Sequence, residues 1–227
     1  MNFLKIIPKF DQKKLILRLG VKNDFQISSA NKRRIEKLSI RFKELITPKL
    51  YFRIAPIMSI NRNIVEIDSA IKFKSIKIAK TLLFCNKIVG FIATIGSAID
   101  DEISNLAATK QSADAFILDI ISSLSIENMV ETFWHQMNSI YKNQEQAISI
   151  RFSPGYCDWP IEEQANLFRF FDIEKPFVKL NNSFLMSPQK SISGVFGISN
   201  IQNANRVSEY NPCNECKKIN CSERRKC

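Results

Sequence analysis

Apolar residues recur at helical spacing in some stretches and alternate in others, and the switches between the two patterns divide the chain into elements. Asp11 precedes Leu15, Ile16 and Leu19, and Gly20 follows, so a capping carboxylate and a glycine frame a short helix. From Ser29 to Ile46 the residues Ile35, Leu38, Phe42, Leu45 and Ile46 make one stripe, which predicts a second helix that Pro48 terminates. Leu50 to Ile60 and Asn63 to Phe73 read as extended segments of a hairpin. Ser75 to Cys85 reads as a helix, Lys87 to Ile95 as a buried strand, and Ser97 to Ala108 as a helix. Asp100, Asp101 and Glu102 in its first turns complement the helix dipole. The longest pattern, Asp114 to Tyr141, carries Ile117, Ile121, Leu124, Val130, Phe133, Met137 and Ile140 on one stripe and predicts a central helix. Ala147 to Phe152 predicts a strand, Ile161 to Phe171 a helix, and Val178 to Leu180, Phe184 to Met186 and Ile192 to Ile198 short strands. A mixed α+β domain follows.

After Ser199 the apolar pattern gives way to Asn, Gln, Ser and Arg, which places a boundary near Asn205. Residues 1–205 form the expected domain, with a helical part over 1–48 and a core over 49–205, and 206–227 form a cysteine-bearing basic tail. The formal net charge is +11, and the first 50 residues hold 13 Lys or Arg against 4 Asp or Glu. That surplus favours an acidic partner. However, Lys32, Arg33, Arg34, Lys37 and Arg41 lie opposite the apolar stripe of their helix, as a solvated face would. No aromatic residues interleave with them, which disfavours a nucleic-acid platform. Met1 to Phe10 lacks the pattern of a secretory signal, and the uncharged stretch Ile88 to Ile99 is too short for a membrane span. A cytoplasmic protein with no membrane partner is the expectation.

The segment Arg151-Phe152-Ser153-Pro154-Gly155-Tyr156-Cys157-Asp158-Trp159-Pro160 ends a predicted strand in a rigid turn. Arginine offers a planar fork for a carboxylate, glycine admits close approach to the backbone, and tyrosine gives a flat face with a polar tip. Alone, the segment fits a ligand loop or a structural turn equally well. A second segment follows: Asn182-Ser183-Phe184-Leu185-Met186-Ser187-Pro188, then Ser191-Ile192-Ser193-Gly194.

Together, Arg-x-x-x-Gly-Tyr, N-S-F-L-M-S-P and S-I-S-G resemble the activation domain of cobalamin-dependent methionine synthase. The resemblance extends through Thr94-Ile95-Gly96, Asp119-Ile120-Ile121-Ser122-Ser123, Glu127, and the opening Leu17-Arg18-Leu19-Gly20 and Leu50-Tyr51-Phe52-Arg53, covering nearly the whole chain. It implies a largely antiparallel twisted sheet with flanking helices and a pocket for S-adenosylmethionine. It further implies that Arg151 binds the methionyl carboxylate, that Gly155 and Tyr156 shape a wall, that Val195, Phe196 and Gly197 line the pocket, and that Glu127 faces the ligand amine. The implied reaction restores methylcobalamin from its oxidised cobalt(II) state with one electron and a methyl group from S-adenosylmethionine. The implied partners are a cobalamin-carrying methionine synthase or other corrinoid protein and a low-potential electron donor. This chain departs from the family by lacking substrate and cobalamin domains, and by carrying Val195, Phe196 and Gly197 where a pair of aromatic residues is frequent.

Cys213, Cys216, Cys221 and Cys227 are spaced to enclose zinc or an iron-sulfur cluster. Disulfides are not expected in a reducing compartment. His135, the only histidine, cannot build a metal site alone, and Cys85 reads as core. No Ser-His-Asp set, phosphate-binding glycine loop or catalytic carboxylate pair is present. Three readings follow: an activation component, an S-adenosylmethionine-sensing module without a catalytic role, or a basic nucleic-acid-binding protein with a zinc tail.

Overall fold

The structure, a computed structural model, describes residues 2–21, 27–67, 71–171 and 176–215. Helix α1 (Gln12–Arg18) starts where the Asp11 carboxylate accepts the Lys13 amide at 2.7 Å, and α2 (Ser29–Leu45) is capped by the Ser28 hydroxyl. The strands that follow are β2 (Lys49–Asn61), β3 (Ile64–Ile67) and β4 (Ile71–Lys74), with the short β1 (Asn2–Phe3) beside β2. The second half of the expected hairpin is thus two strands. Next come α3 (Ile76–Leu82), β5 (Lys87–Thr94), α4 (Ala98–Ala108) and the 31-residue α5 (Ser112–Lys142).

Strand β6 spans only Gln146–Ile148, shorter than the expected Ala147 to Phe152. Beyond it the chain leaves the ladder, still hydrogen-bonded to β9 at Ser149, and meets the sheet again at an isolated bridge from Phe152 to Val195. Helix α6 (Gln164–Phe171) is preceded by a 3-10 turn at Ile161–Glu163. The chain continues through the small pair β7 (Lys179–Leu180) and β8 (Met186–Ser187) to β9 (Ser191–Asn200). Helix α7 (Ala204–Glu209) and a 3-10 turn at Pro212–Glu215 complete the described chain.

The main sheet has the order β4-β3-β2-β5-β9-β6, with every neighbouring pair antiparallel. Side chains alternate across a strand, so β5 serves two cores. Val89, Phe91 and Ala93 pack with Phe196 and Ile198 of β9 against α5 and α2, while Ile88 and Ile92 join α3, α6 and the β3-β4 hairpin on the other face. Phe133 of α5 anchors the first core, with its ring 5.7 Å from Phe91 and 5.9 Å from Phe196. Ile35, Leu38 and Phe42 of α2 are buried there as its stripe predicts. Among the basic residues of that helix, Arg34 pairs with Asp114 and Arg41 with Glu44 and Glu102, so part of the apparent surplus is locally neutralised. Val207 of α7 is buried in the second core, which carries packed structure past Asn205. Among the described residues no helix is long and apolar enough to cross a membrane.

Candidate functional site

The segment Ser149 to Pro160 is fixed at three places. At its start, Ser149 donates its amide to the Gly197 carbonyl at 2.9 Å and its hydroxyl accepts the Gly197 amide at 2.8 Å, while Trp134 Nε1 donates to the Ser149 carbonyl at 2.9 Å. In the middle, Phe152 and Val195 exchange two backbone hydrogen bonds of 2.8 Å. At the far end Trp159 is fully buried, with its ring 5.2 Å from Phe73 and 6.2 Å from Phe152. Gly155 reverses the chain at φ +88°, and its amide donates to the Trp159 carbonyl at 2.8 Å.

Asp158 ties the same loop to α3. Its carboxylate accepts from the Ser75 hydroxyl at 2.7 Å, the Ile76 amide at 2.7 Å and the Lys77 amide at 3.2 Å. The two amides are among the donors that the first turn of a helix leaves unsatisfied. Asp158→Ala is therefore expected to cost about 0.5–2 kcal/mol, the range for losing a capping side chain, measured as a drop in thermal midpoint.

Between this loop, α5 and the start of β9 lies a cleft of about 630 Å³, within the usual range for small-molecule sites. Helix α5 lines it with Ser123, Ile126, Glu127, Val130 and Glu131, which share a face at spacings of three and four residues. Arg151, Pro154, Tyr156 and Cys157 contribute from the loop, and Gln189 to Ser193 from the third side. Pro212 and Cys213 contribute from the C-terminal turn.

Charge is distributed unevenly around the cleft. The Lys190 ammonium donates to Asp119 Oδ1 at 2.6 Å and to the Ser123 hydroxyl at 3.0 Å, and its side chain is largely buried. Lys190 itself is held by the Ile95 amide and Thr94 hydroxyl, both donating to its carbonyl at 3.2 Å. The preceding Gln189 amide donates to Asp100 Oδ2 at 2.6 Å, and burial still keeps the Asp100 carboxyl above the usual carboxylate range. Glu127 accepts from Arg18 Nη2 through both carboxylate oxygens at 3.0 Å, so the N-terminal α1 reaches the rim of the cleft. Deeper in, the Ser193 hydroxyl donates to Gln164 Oε1 at 3.0 Å, and both residues are buried.

Arg151, Tyr156 and Glu127 thus share one cleft, and Gly155 turns the loop that carries two of them. Val195, Phe196 and Gly197 are not among the residues that line this cleft. Val195 pins the loop through Phe152, Phe196 packs in the first core, and Gly197 lies against Cys85 and Leu82. The part of β9 that meets the cleft is three residues earlier, at Ser191, Ile192 and Ser193. Ser123, Glu131, Gln164, Gln189 and Lys190 were not expected there. A legible signal was the polar Gln-Lys-Ser run that precedes the buried strand. His135 is exposed and lies 3.9 Å from Glu131. Of the expected metal ligands, Cys213 is half-buried on the cleft, while Cys216, Cys221 and Cys227 lie outside the described residues. Among the described residues no group of three potential ligands converges.

The profile of the family described as the vitamin B12-dependent methionine synthase activation domain matches residues 78–223. The chain belongs to this family. A solved structure, the MetH reactivation domain bound to AdoHcy, superimposes on the activation domain described above with a TM-score of 0.64 at 14% sequence identity. The alignment covers 93% of this chain and 81% of that one, so the α+β fold is shared throughout. No curated protein matches the sequence.

Proposed function

We propose that this activation domain binds S-adenosylmethionine in the cleft and serves the reductive remethylation of cobalamin carried on a separate protein. The observation that carries the reading is Arg151 and Tyr156, on a loop clamped at three places, facing Glu127 of α5 across a cleft of about 630 Å³. The AdoHcy bound to the structural neighbour supports it.

The ligand is a zwitterion with an added sulfonium charge, and the cleft offers groups of both signs. Arg151 takes the methionyl carboxylate through its planar fork, and Glu127, oriented by Arg18, faces the ligand amine. Tyr156 and the clamped Gly155 turn form the adjoining wall. When bound, S-adenosylmethionine supplies a methyl group already activated by its sulfonium. The chain's own contribution is then position and orientation rather than acid-base chemistry. The rigidity of the loop serves that task, because a mobile wall would give up the alignment. The partners in this reading are a corrinoid protein and a low-potential electron donor.

Calorimetric titration of S-adenosylmethionine tests the reading. Saturable binding is expected for the native chain, with Arg151→Ala weakening it by about 1.5–3 kcal/mol, or roughly 10- to 150-fold, the worth of hydrogen bonds to a charged group. Absence of binding to the folded native chain overturns the reading. Methyl transfer to a cobalt(II) corrinoid protein then separates an activation component from a sensing module, which binds without transfer.

A further inference from the structure

Below the charged residues of the cleft lies a neutral polar pair that the binding mode proposed above leaves unused. Gln164 opens α6 and Ser193 lies in β9, both line the cleft, and each is only 2% exposed. The Ser193 hydroxyl donates to Gln164 Oε1 at 3.0 Å. That bond occupies the acceptor end of the carboxamide and leaves Nε2, with its two N–H groups, as the end still to be matched. Among the described residues Nε2 has no acceptor. A buried amide with unmet donors is costly to keep, so its place on a cleft points to an acceptor that arrives with the ligand.

The surroundings narrow what that acceptor is. Phe91, Phe152, Ile161 and Ile192 line the same cleft, and both phenylalanines are buried. The carboxylate side chains of Glu127 and Glu131, by contrast, are 45% and 49% exposed. Charged groups thus stand at the mouth and a neutral amide stands among apolar side chains at the base. S-adenosylmethionine has the same polarity along its length, with a charged amino-acid end and an uncharged purine. Adenine is apolar on its faces and carries accepting ring nitrogens at its edges, beside one exocyclic amine that donates. An amide held by Ser193 with its nitrogen outward matches the ring nitrogens and not the amine.

We propose that Gln164 Nε2 donates a hydrogen bond to a ring nitrogen of the ligand's adenine, and that Ser193 is the positioning residue that holds the carboxamide in that orientation. This rests on S-adenosylmethionine binding in the cleft and names the residue that reads its base. A reversed carboxamide would set Oε1 against the ring nitrogens, acceptor against acceptor, so the Ser193 bond decides which edge is recognised.

The test is calorimetric titration of S-adenosylmethionine and its 1-, 3- and 7-deaza analogues, in which a C–H replaces N1, N3 or N7, into the native chain, Gln164→Leu and Ser193→Ala. One deaza analogue is expected to bind the native chain about tenfold more weakly than the parent, with the other two within about twofold. In Gln164→Leu the parent weakens by a similar factor and that analogue weakens no further, because the donor it fails to match is already gone. Ser193→Ala is expected to shrink the gap between the parent and that analogue, whereas a purely structural loss would weaken all four ligands alike. Circular dichroism confirms that each variant is folded. Gln164→Met replaces Gln164→Leu if the latter fails that check, and the native-chain series reads the contact without any substitution. Equal binding of all four ligands to the native chain, or a deaza penalty undiminished in the folded Gln164 variant, overturns the proposal and leaves S-adenosylmethionine binding in place. A native chain that binds none of the four overturns the function proposed above, and this contact with it.

Discussion

Replacing Trp159 by alanine is expected to lower the unfolding free energy by about 3–5 kcal/mol, the cost of deleting a large buried aromatic side chain. For a chain of this length that is a fall of roughly 6–20 °C in thermal midpoint. Trp159 is among the largest fully buried side chains, and its ring packs on Phe73 of β4 and Phe152 of the loop. It also occupies the far end of the segment that carries Arg151 and Tyr156. Without the indole, the Gly155 to Trp159 turn loses its core anchor, and the segment is left with its ties at Ser149, the Phe152 bridge and the Asp158 cap. S-adenosylmethionine affinity is therefore expected to fall together with stability. Trp159→Phe retains most of the apolar contact and is expected to recover most of both. A Trp159→Ala chain with an unchanged melting temperature would show that the loop is not held in this way.

The sequence made local structure legible and long-range placement only in part. Helices α2 and α5 were readable because 3.6-residue periodicity is a property of neighbours along the chain: Ile35, Leu38 and Phe42 are buried as expected, as are Ile117, Ile121 and Phe133. Strand β6 was overextended because Ile148, Ile150 and Phe152 alternate like a strand. Pairing is decided instead by a partner some fifty residues away, and the Ser149 hydroxyl takes a Gly197 amide where a longer ladder would otherwise continue. The two motif segments marked the cleft, since the Arg151 loop and the Ser191 to Ser193 run both reach it.

Which residues of the second motif reach the cleft was not legible. Val195 and Phe196 are adjacent, so β-strand alternation sends them to opposite cores, and no local pattern shows which stretch of a doubly buried strand opens to a cleft. The Arg18 to Glu127 contact was equally hidden, because it joins two helices 109 positions apart.

The packing around Gly197 offers a sharp test of where that residue sits. A β-carbon there would lie 2.3 Å from Cys85 Sγ, 2.7 Å from Cys85 Cβ and 2.7 Å from Leu82 Cδ2. Leu82 is fully buried, and Cys85 sits so deep that burial pushes its thiol from 9.0 up to about 12. Gly197→Val is accordingly expected to cost about 3 kcal/mol, the upper end of the usual range for overpacking, or roughly 6–12 °C in thermal midpoint. The clash is with two named neighbours, so the cost should couple to them. Cys85→Ala removes the nearest atom, and in a double-mutant cycle it should recover part of the loss while Cys85 Cβ and Leu82 retain the rest. Were Gly197 an open wall of the cleft, valine would be tolerated by the fold and felt only in ligand affinity, and the cycle with Cys85 would show no coupling. The backbone of Gly197 also holds Ser149 through two hydrogen bonds, so forcing β9 away from α3 displaces the start of the Arg151 loop. Any loss of S-adenosylmethionine affinity in Gly197→Val should therefore appear alongside the loss of stability and diminish with it in the double variant.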